Sequence, residues 1–355
     1  MRSMFYDVAE RGDLEVILQQ PDTKQTIPTV KSPAKSPQRL QSPSSTETKG
    51  ALDDDSEFKL RFLNLLLYGT RFPKDSDKEV EIRMCVSSTH LCLASPVFAA
   101  MLNKSRAQLT SRGHQPITEI SVTGWDAKAL ATVFNIIHGK TSEVPRRVNL
   151  EFLTDVAAIV HHFRCEEAIK LLFELWLSKL SPLDITDINS QCLMWLFNSR
   201  VFSASDEFAH NGKLVLSEYK GPGTIELHDL LLTKVLDKID GKRVFLIEKL
   251  ISGIQHLEET LTDEPGCPEA GSEECTTMAL GCLIRGKRKF RHLKSPYHGI
   301  SVQQMLAWLR LFPKGVGEHH HRTAGRKCTT YARLQPVIDN MERGVEDMDL
   351  YHYGL

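Results

Sequence analysis

Residues 86–102, VSSTHLCLASPVFAAML, decide how this chain folds. Ser87, Ser88, Thr89, His90, Cys92 and Ser95 stand there among apolar residues, a mixture that would suit a nucleophile with its base, a metal site, or helix starts. The helix reading explains more of the residues. Ser95 followed by Pro96 is a helix start: the hydroxyl takes an unpaired backbone N–H, and proline suits the first helical position because its missing N–H has no partner there. Val97, Phe98, Met101 and Leu102 then share one helical face. Ser88 fits the cap of a shorter helix through Leu91 and Ala94. A catalytic triad needs each member oriented by another. Here the serines are committed to caps, and Cys92 falls in an apolar turn.

Outward from this stretch the pattern alternates between periods of two and of 3.6. VEIRMCV at 80–86 sets Val80, Ile82, Met84 and Val86 on one face, a strand buried on one side. DLEVIL at 13–18 and ITEISV at 117–122 are two more strands. Residues 126–138 form a helix with Leu130, Val133, Phe134 and Ile137 as its stripe and Gly139 as its stop. Asn149 caps a helix bearing Leu150, Leu153, Ala157 and Val160. The next, 165–180, carries Ala168, Leu171, Leu172, Leu175 and Trp176. Strand, insertion, strand, helix pair, strand and three helices describe a small sheet covered by a helical cluster, an α+β class. Beyond Pro182 the patterns are helical only, at 194–202, 227–239, 244–261, 276–283 and 302–311.

The 355 residues suffice for more than one domain, and a net charge of −1 provides no global field toward nucleic acid or an acidic membrane. The first residues, MRSMFYDVAERGDLEV, lack the apolar core of a signal peptide, and 60–68 is too short to span a bilayer. An intracellular protein, cytoplasmic or nuclear, is expected. Cys85, Cys92, Cys165 and Cys192, among apolar residues, are expected as buried reduced thiols. G-x-S-x-G, H-E-x-x-H, C-x-x-C and a phosphate-binding glycine loop are absent, so no enzyme is expected.

The order and spacing of these elements resemble the BTB/POZ domain, in the long variety found in filamentous fungi. The resemblance rests on residues 86–102, on ISVTGWDAKALATVFNIIHGK at 120–140, and on FRCEEAIKLLFELWLSKL at 163–180. It continues more loosely through LMWLFNSRVF at 193–202, KVLDKIDGKR at 234–243, ECTTMALGCL at 274–283 and GVEDMDL at 344–350. It implies a protein-interaction fold at 1–180. Within it, residues at about 28–57, with almost no large apolar side chains, are expected as a disordered insertion, which is unusual for the family. The helical patterns beyond Pro182 give an all-helical extension at 181–312 and a tail at 313–355 with a His/Cys-rich loop and a final helix. The resemblance also implies self-association, or pairing with another BTB protein, through the first helices; Leu91, Ala94, Val97 and Phe98 are the candidate contacts. A scaffold or adaptor role follows. Substrate adaptor of a cullin-type ubiquitin ligase and nuclear, transcription-associated regulator are the alternatives.

Three further features carry chemistry. Cys267, Cys275, His321 and Cys328 supply a donor set suited to tetrahedral zinc, at wider spacings than usual; otherwise no cofactor is expected. Ser32, Ser36 and Ser42 each precede proline and are candidate phosphorylation sites in the insertion. The basic run Arg285, Lys287, Arg288, Lys289, Arg291 and Lys294 reads as a solvated helix end, with nuclear import signal or nucleic-acid patch as the other readings. Neither nucleic acid nor a membrane is the expected partner.

Overall fold

The computed structural model describes residues 2–31, 80–105, 109–112, 115–180, 185–267, 271–312 and 329–350. The proline-flanked serines and 60–68 lie outside them. The main sheet is built from β1 (Arg2–Asp7), β2 (Leu14–Gln19), β4 (Val80–Val86), β5 (Leu109–Arg112) and β6 (Gln115–Thr123), in the order β1-β4-β2-β6-β5. β2 and β4 are antiparallel, and β1 and β6 run parallel to β4 and β2 respectively. Register follows from alternation. Leu18 opposes Ile82 and Val122, and Val16 opposes Met84 and Ile120, so these even-numbered apolar side chains are buried together on one face. The opposite face carries Arg83, which reaches Glu15 at 2.7 Å, Glu81 at 2.8 Å and Glu119 at 3.3 Å.

Against the inner face lie α1 (Ser88–Ala94), α2 (Pro96–Ser105), α3 (Ala127–Ile137), α4 (Leu150–Phe163) and α5 (Glu166–Leu177). Asp126 and Asn149 cap α3 and α4 by accepting from Ala129 and Phe152 N–H groups. Arg164, in the left-handed region at φ 52°, turns the chain between α4 and α5. On α5 the expected inward stripe is corrected. Ile169, Phe173 and Trp176 are buried, whereas Leu171 is 78% exposed and Ala168 and Leu175 are also exposed. Two apolar stripes share this helix, and periodicity alone could not say which one faces the core.

The second half packs onto the same core through α6 (Ser190–Val201), α7 (Ser205–Glu218), α8 (Thr233–Asp263), α9 (Glu273–Lys287), α10 (Val302–Arg310) and α11 (Thr330–Glu346). Phe173 of α5 stacks on Phe202 at 4.0 Å, and buried Asn198 of α6 donates to Thr154 of α4. This half is not all-helical. β3 (Thr29–Val30) pairs antiparallel with β7 (Ile225–Glu226), and Lys31 N–H donates to Thr224 O. Residues 29–31, expected within the insertion, are therefore paired, their backbone finding partners some two hundred positions downstream; 32–57 lie outside the described residues.

Of the two helices expected at 227–239 and 244–261, residues 233–239 and 244–261 are joined in α8, which runs through Gly241 and Arg243, whereas 227–232 precede it and are not helical. A glycine costs a helix interior about 1 kcal/mol. Ile239, Leu246, Ile247 and Leu250, all buried on one face, outweigh it. Arg243 is itself fully buried. It donates to Asp240 at 2.8 Å and to the carbonyls of Pro296, Tyr297 and Ile300 at 2.8–3.0 Å, fixing the turn before α10. Gly221, at φ 99°, lets the 220–224 turn approach this guanidinium; a Cβ there would lie 3.2 Å from the guanidinium. Removing one partner of a buried, hydrogen-bonded charge leaves the others unsatisfied. Arg243→Ala is expected to cost about 3–5 kcal/mol of unfolding free energy, read from urea denaturation; a loss below about 1 kcal/mol would show the turn to be held by other contacts.

Candidate association surface

The two short helices that open residues 86–102 are fixed from below and bare above. Ser95, fully buried, ends α1 and starts α2: its N–H donates to Leu91 O, and its hydroxyl accepts from Phe98 N–H at 3.1 Å and donates to Phe163 O. Phe98 stacks on Phe163 at 4.2 Å and meets the Phe134 ring edge-on at 5.7 Å. Leu91 and Phe98 both have 0% exposure. They are spent inside the chain and cannot reach a partner, which corrects two of the four candidate contacts. Ala94 and Val97 are half-buried and remain on the surface.

Sequence reasoning missed Leu93, which is 88% exposed at the end of α1. Cys92, Pro96 and Ala100 of the same helix pair are also exposed. From Leu91 to Leu102 the chain carries no charged residue. Cys92, expected as a buried thiol, is thus on the surface. Burial pushes the Cys165 and Cys192 thiols up to about 12, so these two are inert packing groups.

The start of α1 is set by side chains of other elements. Ser87, not Ser88, occupies the cap position, and its hydroxyl bonds His90 Nδ1 at 3.0 Å instead of capping. Ser88 is the first helical residue and donates from both its N–H and its hydroxyl to Asp13. Ser87 N–H donates to His138 Nε2 at 2.9 Å, while His138 Nδ1 bonds Phe134 O at 2.7 Å. These partners fix His138 as the neutral tautomer protonated at Nδ1. His90 and His138 stack with centroids 5.0 Å apart. Ser87 and His90 are thus a hydroxyl and an imidazole in contact, but among the described residues no carboxylate is in contact with His90, and the pair lies on an exposed helix.

Two grooves lie elsewhere. One, of about 440 Å³, is lined by Lys128, Arg147, Glu151, Phe152 and Asp155 among others; the other, of about 240 Å³, lies between α8 and α11 beside Leu250 and Val337. Of the expected zinc donors, Cys267 is buried with its sulfur at the Arg333 guanidinium, Cys275 sits in the first turn of α9, and His321 and Cys328 lie outside the described residues. Among the described residues no three His, Cys, Asp or Glu side chains converge as a metal set. Of the basic run, Lys287 pairs with Glu258, whereas Arg285, Arg288, Lys289, Arg291 and Lys294 are exposed at the end of α9 and just beyond it. No helix among the described residues is long and apolar enough to cross a membrane.

No protein-family model, no curated protein and no solved structure matches the chain.

Two histidines titrate with a definite sign. His162 lies against Trp125 at 5.0 Å, with Lys24 over the same indole ring. Burial, then the charges of Lys24 and His161, hold it below the ordinary imidazole range. His138 is held down by burial first, and further by His90 and Lys140. With folded values below unfolded ones, the unfolded chain takes up protons first as pH falls. Stability from both groups is complete above roughly pH 6.5–7 and is lost as pH drops toward the folded values. The urea midpoint is expected to fall between about pH 7.5 and 5.5, and to fall less in His162→Gln; an equal fall in that variant would remove His162 from the account.

Proposed function

We propose that this chain is a non-enzymatic protein-interaction module of BTB/POZ type that self-associates through α1 and α2 and serves as a scaffold or adaptor. The observation that carries the reading is Leu93, almost wholly exposed on a helix pair that is uncharged from Leu91 to Leu102, where Ala100 is also exposed and Ala94 and Val97 are half-buried. An apolar ridge of this kind costs solubility unless another surface covers it. It lies on the helices that the resemblance assigns to pairing. Those helices are held rigid by Ser95 and Phe98 beneath them, so little entropy is lost on docking.

The order of elements supports the same reading. A β2–β4 antiparallel pair, the α1–α2 helix pair, β6 parallel to β2, then α3, α4 and α5 form the sequence that the resemblance implies. A two-fold contact would set each ridge against its copy, making Leu93 a contact on both sides.

Light scattering on the purified chain at micromolar concentration is expected to give twice the chain mass. Leu93→Asp places a charge in the covered surface and is expected to weaken association by about 10–100-fold. Its circular dichroism and urea midpoint should be unchanged, because Leu93 contributes little to the chain's own core. A monomer at all accessible concentrations would overturn the reading.

A further inference from the structure

We infer that the stacked His90–His138 pair is a proton-operated release for the α1 ridge, so that association is strong when His138 is neutral and weak when it is charged. The inference rests on the self-association reading and adds its regulation. The ring of His138 is the acceptor that fixes the start of α1: Nε2 receives the Ser87 N–H at 2.9 Å, and Nδ1 is committed to Phe134 O at 2.7 Å. Ser87's own hydroxyl is turned away to His90 and caps nothing. A proton can enter only at Nε2, where it converts the acceptor into a donor facing another donor. No compensating bond is then available to that N–H within the pair.

The surrounding charges act in the same direction. His90 stacks on the ring from α1, and Lys140 follows α3; both oppose a charge on His138. Asp13, from the β1–β2 connection, is taken by the hydroxyl and N–H of Ser88, and those bonds outweigh the burial that would raise its carboxyl. Glu143 acts on Lys140 and on Tyr6, and Tyr6 is bonded to Asn135 of α3. Protonation therefore sets a positive charge against the stacked His90 ring and leaves Ser87 without its acceptor. Of the two outside side chains that hydrogen-bond the start of this seven-residue helix, Asp13 is then the one left. Ser95 and Phe98 still anchor α2, but α1 loosens from its first turn, and the surface that Leu93 presents is less sharply set.

Three measurements test this on the full chain. Association followed by light scattering is expected to weaken about tenfold or more between pH ~7.5 and ~5.5. In His138→Gln, whose side-chain carbonyl keeps an acceptor but cannot titrate, it should stay constant. NMR titration of the imidazoles should place the His138 midpoint at the pH where association is lost, and His90→Gln should move that midpoint upward. Exchange of the Ser87 and Leu91 amides, corrected for intrinsic pH dependence, should accelerate over the same interval. An equal loss of association in His138→Gln, or a His90→Gln midpoint that stays in place, would overturn the inference. A chain that is monomeric throughout fails the self-association reading instead, and the amide exchange then decides the release on its own: acceleration supports it and a flat profile refutes it.

Discussion

The fold depends on one hydroxyl. Ser95 sits where α1 ends and α2 begins; its hydroxyl takes the Phe98 N–H and donates to the Phe163 carbonyl at the end of α4, while its own N–H donates to Leu91 O. A helix junction this deep would otherwise leave polar backbone buried and unpaired, at about 1–3 kcal/mol for each group. With those groups satisfied, Phe98 can lie flat on Phe163 and edge-on to Phe134. The aromatic cluster then ties α2, α3 and α4 to one another beneath the sheet. The exposed ridge of α1 and α2 is the other side of the same junction.

Much of this was legible because local chemistry and global position agree. Val80–Val86 alternates strictly, Asp126 and Asn149 cap where they are expected to, and Ser95–Pro96 starts its helix. The misses share a cause: each concerns a residue whose partner is distant in sequence. On α5 two apolar stripes compete, and only the position of α3 and α4 selects Ile169, Phe173 and Trp176 for the core. α7 escaped notice because its buried face includes Asn211 and Gly212, and Gly212 is small enough to admit the Met348 side chain. β1 escaped because its pairing to β4 spans the insertion. β3 and β7, two residues each, have no periodicity to show.

The candidate surface was legible in place but not in orientation. Residues 86–102 were correctly located as a helix pair. Which of its apolar residues face outward depends on the rotation of each helix about its axis, and that is set by Asp13, His138 and Phe163, none of them in the stretch itself. Leu91 and Leu93 are two positions apart and lie at opposite extremes of exposure. His90, with no role evident from its neighbours in sequence, acquires one only when α3 brings His138 beneath it.

The joint between the halves has a consequence for the chain as a physical object. Phe173 against Phe202, Asn198 to Thr154, and β3 against β7 cross any line drawn near residue 180. A cut there would not separate two modules. It would open an aromatic stack, strand a buried amide and leave two short strands without edges to pair. The sheet and helices that carry the exposed Leu93 therefore borrow cooperativity from the second half. The C-terminal helices thus help to hold, through the shared core, the helices on which Leu93 is displayed.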